Sequence, residues 1–473
     1  ADFTTESDFF DVGGDSFAAM EFVVQAEGRG MYFVPSILQD CSTIQKLCDR
    51  LKHDHFSEAL GKEELMSHVQ AELKAMQSRL SLSWSKAAEH SVDSCILLTG
   101  ATGFFGSELL KRLLDLTSFS GRIICIVRAR DDSHAMERVK NALKRVGVTN
   151  YEQVKNRLIV VSGDLSEDYL GLSLKNYRRI GRLTAKIIHG AAEVNLFKDL
   201  SNLYASNVIA TRQLLAFALE NHIKQFDFIS TLSVFVASDR NRGSFFEDDA
   251  LTHTKHMFGG YAQSKWIAEV LVRNVQAPKL TRRIYRLGLI TGDSSSGHSA
   301  GHDYLKEFIQ GVTEIGSVPR SALDLAVDVT PVDYAADALV RISMQKTTNG
   351  LSCFHIANSR GATLHEIREA LRVSGVEVAL LDAHEWQEKF SQIGSYSRSQ
   401  LSAKLALCAA CDSERTFASK RTFDLFQATD TNFDCSSTKA TLKRFGMACP
   451  QVSQELLMKY VSAAIVDDRR SVT

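Results

Sequence analysis

Apolar residues fall into three successive patterns along the chain. In the first stretch, residues 1–52, the turn-forming Gly13, Gly14 and Asp15 are followed by Phe17, Met20, Val23 and Val24 at helical spacing. After a glycine-containing loop, Gly28 to Gly30, a second periodic run passes through Ile37, Ile44, Leu47 and Leu51. Two short helices are predicted there. Residues 53–92 are more polar, yet Leu65, Val69, Leu73, Met76 and Leu80 are spaced by four, four, three and four. That spacing draws one apolar stripe on a helix and predicts a connecting helix docked on the region after it.

From about residue 93 the texture changes. "CILLTG", "RIICIV", "RLIVVSGD", "AKIIHGAA", "QFDFIST" and "RIYRLGLITG" are short apolar runs separated by helical stretches. Buried strands alternating with helices predict an α/β fold, a Rossmann-type doubly wound parallel sheet covered on both faces. From about 360 the chain reads as a smaller, mostly helical lobe. The expected domains are thus 1–52, a helical linker 53–92 and a large unit 93–473. Within that unit, 93–290 mainly binds cofactor and 291–473 mainly binds substrate.

Composition adds little to this picture and excludes much. The 473 residues carry 55 basic and 56 acidic side chains, for a formal charge of −1, and 44% are hydrophobic. That balance gives no electrostatic reason to expect nucleic acid or an anionic membrane. No apolar run approaches the ~20 residues that span a bilayer, and no basic-plus-apolar leader opens the chain. Only five prolines occur, far below the usual ~5%, which suits long unbroken elements. The nine cysteines form no framework. Cys408 and Cys411 make a CxxC with no second pair or His pair nearby, so a metal is not expected and reduced cytoplasmic thiols are.

Chemistry concentrates at two places. Gly100-Ala101-Thr102-Gly103-Phe104-Phe105-Gly106 follows the first strand directly and opens a helix. Gly100 permits a tight turn, Gly103 lets a pyrophosphate approach the backbone, and Gly106 permits close helix–strand packing. The helix N-terminus then offers free N–H groups to phosphate. Arg128 stands at the end of the second strand, with Arg130 and Arg138 after it and Asp131 and Asp132 between. An acid at the strand end would favour a ribose 2′-hydroxyl, whereas arginine pairs with a 2′-phosphate, so NADPH is expected. The second place is Tyr261-Ala262-Gln263-Ser264-Lys265, beginning after Gly259 and Gly260. Spacing of four puts Tyr261 and Lys265 on one helix face. An ammonium beside a phenol is expected to lower its pKa. Thr231, at the end of an upstream strand with Ser230 and Ser233, is placed within reach of a substrate oxygen.

The glycine motif, the Thr/Tyr/Lys set and the strand order resemble an extended short-chain dehydrogenase/reductase. Within that superfamily the chain is most similar to the thioester reductase domains of nonribosomal peptide synthetases, carboxylic acid reductases and aminoadipate reductases. The segments are "LLTGATGFFGSELLKRLL", "IVRARDDSHAMERV", "SGDLSEDYLGLS", "IIHGAAEVNLFKDL", "NVIAT", "ISTLSV", "GGYAQSKWIAE", "YRLGLITGDSSSG" and "DVTPVDYAADALV", over about residues 95–340. The resemblance implies Thr231, Tyr261 and Lys265 as catalytic residues. It implies a cofactor set of Gly100, Thr102, Gly103, Phe104, Phe105, Gly106, Arg128 and Arg138 at the phosphates, Asp164 and Leu165 at the adenine, and Asn195, Tyr261 and Lys265. Leu287 departs from the family, which usually has proline there before the glycine.

"FFDVGGDSFAAMEFV" resembles the phosphopantetheine attachment signature of a peptidyl carrier protein and makes Ser16 the modified residue. A full carrier has a further helix before this motif. The resemblance therefore implies a truncated carrier excised from the end of a longer synthetase, with upstream modules in cis and a phosphopantetheinyl transferase as partners. The expected reaction is NADPH-dependent release of a carrier-bound thioester as aldehyde, with reduction onward to alcohol left open. The alternatives are a redox-silent cyclising domain, a non-catalytic carrier-docking module and a nucleotide-sugar epimerase or dehydratase.

Overall fold

The computed structural model describes residues 4–9, 11–12, 22, 26, 38, 41–52, 60–82, 95–195, 198–236, 242–251, 257, 259–299, 303–345, 350–391, 397, 399–400, 403, 407 and 430–471. Ser16, Cys408 and Cys411 lie outside them, as does the rest of the attachment motif from Gly13 to Phe17.

Among the described residues, two helices precede the sheet, α1 (Ile44–Lys52) and α2 (Lys62–Leu82). Near the N-terminus a small core gathers Ala26, Leu38, Cys41 and Leu47, with Phe9 and Phe22 against it. Backbone bonds from Phe9 N to Ser42 O at 2.6 Å and from Gln45 N to Thr5 O at 2.9 Å close it. The stripe of α2 is buried as its spacing requires: Leu65, Val69 and Met76 lie in the main core, with Leu73 and Leu80 packed against it. Its polar side is clamped too. Arg79 donates to Glu220 at 2.7 Å and to the Tyr177 hydroxyl at 2.7 Å, and Tyr204 donates to Glu72 at 3.0 Å.

Seven parallel strands form the central sheet: β1 (Cys95–Thr99), β2 (Ile123–Val127), β3 (Leu158–Ser162), β4 (Thr184–His189), β5 (Gln225–Thr231), β6 (Thr281–Leu287) and β7 (Leu351–Ile356). Their order is β7-β6-β5-β4-β1-β2-β3. Both faces are covered, which is why β1 and β2 are buried at every position and read as continuous apolar runs. The order reverses beside β1, between β2 and β4. In an open parallel sheet, the carboxyl ends of strands at such a switch point form the ligand crevice.

Helices α3 (Phe104–Asp115), α4 (Asp132–Arg145), α5 (Leu174–Leu183), α6 (Ala210–Glu220) and α7 (Gly260–Asn274) alternate with these strands. One face is covered by α2, α6 and α7 and the other by α3 and α4. Asp131 caps α4 through His134 N, and Ser173 caps α5 through Asn176 N, the side-chain acceptors that a helix start needs. A third core lies in the C-terminal half, built from α8 (Tyr304–Ile315), Trp386 and residues 364–371 and 452–464. The chain does not leave the main sheet at one boundary. After α8 it returns to supply Val332–Ser343 and β7 before entering the smaller lobe again.

Candidate active site

At the switch point, the glycine loop is set by contacts that only glycine permits. Gly100 adopts φ +79°, and a Cβ there would lie 2.7 Å from the Gly190 backbone. A Cβ on Gly106 would lie 1.9 Å from Gly100 O. Gly103 differs: its nearest obstacle is Gly100 O at 3.4 Å, so the missing side chain leaves room above the loop. Gly103 is the extended N-cap of α3 and makes no side-chain cap bond. A dinucleotide pyrophosphate fits this cradle of free N–H groups and open space.

Arg128 follows β2 with an exposed side chain, and its Nε lies 3.4 Å from Asp164 Oδ2 at the end of β3. Burial pushes the Asp164 carboxyl up. Bonds from Ser166 Oγ and N, with the Arg128 charge, more than offset this and hold it below the usual range. Arg138 donates to the Arg128 carbonyl, so α4 braces the arginine that leaves the strand. The two acids between them are engaged elsewhere: Asp131 caps α4 and Asp132 accepts from Ser162 N at 2.7 Å. Arg145, which no sequence motif singles out, donates to Thr102 O at 2.9 Å and holds the glycine loop from the side. Leu165 packs partly buried against the core, and Asn195 Oδ1 accepts from Lys198 N at 3.1 Å.

The second cluster sits where β5 ends and α7 begins. Thr231 Oγ1 accepts from Ser233 N at 3.1 Å and lies 3.0 Å from Ser233 Oγ. Its side chain also hydrogen-bonds the Tyr261 phenol, which opposes the effect of burial; burial wins and pushes that phenol to about 12. Lys265, one turn further along α7, donates to Ile229 O at 2.7 Å and stands 4.1 Å from the Phe228 ring centroid. Burial lowers it to about 7, with Glu269 pulling the other way. The sequence expectation of an ammonium that lowers the phenol's pKa is therefore not met in this arrangement. Helical spacing puts both residues on one face, but a strand carbonyl captures the ammonium and desolvation dominates the phenol.

Behind Lys265 the same face continues into buried charge. Glu269 accepts from Ser230 Oγ at 2.6 Å, from Arg286 Nη2 at 2.7 Å and from Arg273 Nε at 3.0 Å. Burial raises its carboxyl, yet Arg286 and its other partners hold it at about 2. Glu269 is four residues after Lys265, so its register was readable; its partner Arg286, on β6, was not.

Asn207 lies within a π turn, Ala205–Ile209. It accepts from Glu193 N at 2.7 Å and donates to Glu193 O at 3.1 Å and Ser264 Oγ at 2.9 Å. It thereby ties the loop after β4 to the helix carrying Tyr261. His189 links the two halves of the site. Thr211 spends its proton on Asn207 O at 2.7 Å. It therefore accepts from His189 Nε2, 3.0 Å away, which leaves Nδ1 to accept from Thr99 at 2.8 Å. Burial, with Lys265 nearby, lowers this imidazole to about 3, so it is neutral at physiological pH. Leu287, the departure from the family pattern, is buried at the end of β6, and its carbonyl accepts from Leu232 N at 3.0 Å. Among the described residues, no group of three or more His, Cys, Asp or Glu could hold a metal, and no helix is long and apolar enough to cross a membrane.

A glycine cradle at the switch point of a parallel sheet, with a Thr/Tyr/Lys set on the neighbouring strand and helix, defines a nicotinamide-dependent oxidoreductase. The chain belongs to the NAD-binding family described as "Male sterility protein", whose model matches residues 98–339, and a "Phosphopantetheine attachment site" model matches residues 1–51. It is 29% identical over 395 residues to a linear gramicidin synthase polypeptide of Brevibacillus parabrevis, covering 80% of this chain and 7% of that protein. It is 26% identical over 415 residues to "L-2-aminoadipate reductase" of Saccharomyces cerevisiae, covering 82% and 30%. The chain thus spans less than a third of either relative. Among solved structures, the terminal R domain from the myxalamid PKS-NRPS biosynthetic pathway is 29% identical with a TM-score of 0.69, covering 84% of this chain and 98% of that one. A thiolation-reductase di-domain from an archaeal non-ribosomal peptide synthetase shares the fold over 98% of this chain and 94% of its own, with a TM-score of 0.73 at 19% identity.

Proposed function

We propose that the chain releases a carrier-bound acyl, aminoacyl or peptidyl thioester by NADPH-dependent reduction to an aldehyde. The observation that carries this reading is the Thr231–Tyr261 hydrogen bond at the end of β5, on the same parallel sheet whose first strand leads into the glycine loop, in a chain whose first 51 residues match a phosphopantetheine attachment site. The domains read accordingly as a carrier over 1–52, a helical linker over 53–92 and a reductase over 93–473. Ser16 would carry the phosphopantetheine whose sulfur holds the substrate.

The Gly100–Gly106 loop would hold the pyrophosphate, Arg128 and Arg138 the 2′-phosphate, and Asp164 and Leu165 the adenine. Asn195 and Lys265 would lie at the nicotinamide half. The cofactor, when bound, supplies hydride. As the thioester carbonyl gains an electron pair, negative charge develops on its oxygen, where hydroxyls of Thr231 and Tyr261 would stabilise it. With its pKa held near 12 by burial, Tyr261 stays protonated at neutral pH and can donate to that oxygen. The resulting hemithioacetal collapses with C–S cleavage; the hydroxyl proton passes to sulfur, and aldehyde and free thiol leave. Tethering on the carrier raises the local substrate concentration, which reduces the need for tight acyl recognition.

Upstream synthetase modules in cis and a phosphopantetheinyl transferase are the partners this requires. The cytoplasm is the compartment that supplies NADPH and keeps thiols reduced. The test is direct. Protein loaded at Ser16 with a panel of aminoacyl- and fatty-acyl-phosphopantetheines should oxidise NADPH and release aldehyde or alcohol detectable by mass. A cyclised product without NADPH consumption would sink the reading. Tyr261→Phe should keep NADPH binding while lowering turnover by about 10²–10⁴-fold.

A further inference from the structure

The linker helix and the catalytic helix are joined at their beginnings. Leu60 and Met257 form an isolated antiparallel bridge, with Leu60 N donating to Met257 O at 3.1 Å and Met257 N donating to Leu60 O at 3.0 Å. Leu60 leads at once into α2: Gly61 N donates to Glu64 Oε2 at 2.8 Å, and Leu65 N to Gly61 O at 3.1 Å. On the other side, Met257 is fully buried and stands two residues before Gly259, whose φ of +79° turns the chain into α7. Its carbonyl accepts a second bond, from Gln263 Nε2 at 2.9 Å. Gln263 is two residues past Tyr261.

The turn that presents Tyr261 is therefore held from two directions. A Cβ on Gly260 would meet the Asp199 backbone at 2.2 Å, so the loop after β4 presses on one side. The bridge to Leu60 fixes the other. Met257 is also anchored by its side chain, which is fully buried in the same core as Leu65, Val69, Ala262 and Trp266.

We propose that Leu60 is a positioning residue for catalysis: its backbone bridge to Met257 sets the glycine turn from which Tyr261 projects. The segment that tethers the carrier and the residue that donates the proton are thereby one mechanical unit. This inference rests on Tyr261 being the proton donor, and it assigns the linker a part in the chemistry beyond spacing two domains. Phenol placement matters at the sub-ångström level, since a displacement of about 1 Å at a reacting group can cost ~10²-fold in rate.

Two variants of the full chain separate the bridge from ordinary packing. Leu60→Pro removes the N–H that Met257 O accepts, whereas Leu60→Ala keeps it. Amide hydrogen exchange is the first readout, because it needs no substrate and so fails independently of the proposed reaction. Exchange at Met257 through Gln263 should accelerate by about tenfold or more in Leu60→Pro while the strands stay protected, and change less than about twofold in Leu60→Ala. On the carrier-loaded substrate, Leu60→Pro should lower kcat about tenfold or more with the KM for NADPH unchanged. Unaltered exchange in Leu60→Pro, equal effects in both variants, or protection lost across the whole sheet would each overturn the proposal.

Discussion

The ammonium of Lys265 donates to the carbonyl of Ile229 at 2.7 Å, fastening the catalytic helix to the strand that ends at Thr231. That bond ties the helix to the strand one turn beyond Tyr261, whose phenol hydrogen-bonds the Thr231 side chain across the same two elements. Lys265 is also nearly without solvent, and its charge is therefore conditional.

That condition is testable through stability. Burial has lowered Lys265 from 10.5 to about 7. In the unfolded chain the amine keeps its proton up to its ordinary value, so between those two pH values the unfolded state binds more protons. Stability from this group then rises with pH, by up to about 1.4 kcal/mol per unit; below pH 7 both states are protonated and the slope vanishes. Urea unfolding of the cofactor-free protein from pH 7.5 to 8.5 should show the rise, and Lys265→Met should flatten it. The lower limit stays above the range where His189 and His355, both lowered by burial from 6.5, add a rise of the same sign. The upper limit stays below the range where Cys125, pushed from 9.0 to about 12 by burial, adds the opposite slope. An identical pH profile in the variant would refute the conditional charge.

Two glycines of the loop should respond differently to alanine. A Cβ at Gly106 would overlap Gly100 O at 1.9 Å, so helix and strand must separate. Overpacking of this kind costs about 1–3 kcal/mol, and Gly106→Ala should lower both the melting temperature and NADPH affinity. Gly103→Ala meets only Gly100 O at 3.4 Å. Its fold should persist, with NADPH binding weakened tenfold or so because the methyl stands where pyrophosphate approaches. Parallel melting and fluorescence titrations check the contrast, which a Gly103→Ala variant with normal affinity would defeat.

Much of this was legible because the governing interactions are local. The apolar runs around Leu97 and Ile124, the stripe through Leu65 and Val69, and the spacing from Gly100 to Gly106 each encode a period or a turn that neighbours in sequence dictate. Tyr261 and Lys265 were readable as one helix face. What was not readable depended on which strand carbonyl or distant charge each side chain meets. Lys265 on Ile229, Arg286 under Glu269 and Leu60 against Met257 are pairings across 36, 17 and 197 residues, and no periodicity records them. Asn207 stands inside the "NVIAT" motif, but its tie to Ser264 depends on a π turn, which the apolar pattern does not announce.

The Glu269–Arg286 pair should be costly to break and cheap to replace. Both side chains are fully buried at 2.7 Å, and Arg286 also lies 4.4 Å from the Phe235 ring centroid. Arg286→Met leaves the carboxylate with less positive charge around it, so stability should fall by about 3–5 kcal/mol. Glu269 is still held by Arg273 at 3.0 Å, so Glu269→Met alone would strand that cation. Removing Glu269 and Arg273 together with Arg286, all as Met, clears the buried charges and should recover most of the loss, a coupling that a mutant cycle by urea unfolding measures. Simple additivity of the separate losses would show that the cluster does not act as a unit.

Arg128 should decide between the two nicotinamide cofactors. Its guanidinium is exposed and lies 3.4 Å from Asp164, an arrangement that solvent screens and that therefore holds it weakly. A 2′-phosphate is a stronger partner, because an arginine fork can meet its oxygens through two charge-assisted bonds. Bonds to charged groups are worth about 1.5–3 kcal/mol, which corresponds to ~10–100-fold in affinity. Arg128→Ala should therefore raise the dissociation constant for NADPH by that factor while leaving NADH within about threefold, since NADH offers only a ribose hydroxyl at this point. Asp164→Ala, which frees the guanidinium without removing it, should leave the preference for NADPH in place. Titrating both cofactors against both variants reads the difference directly, and an equal loss of NADPH and NADH in Arg128→Ala would remove the 2′-phosphate from this position.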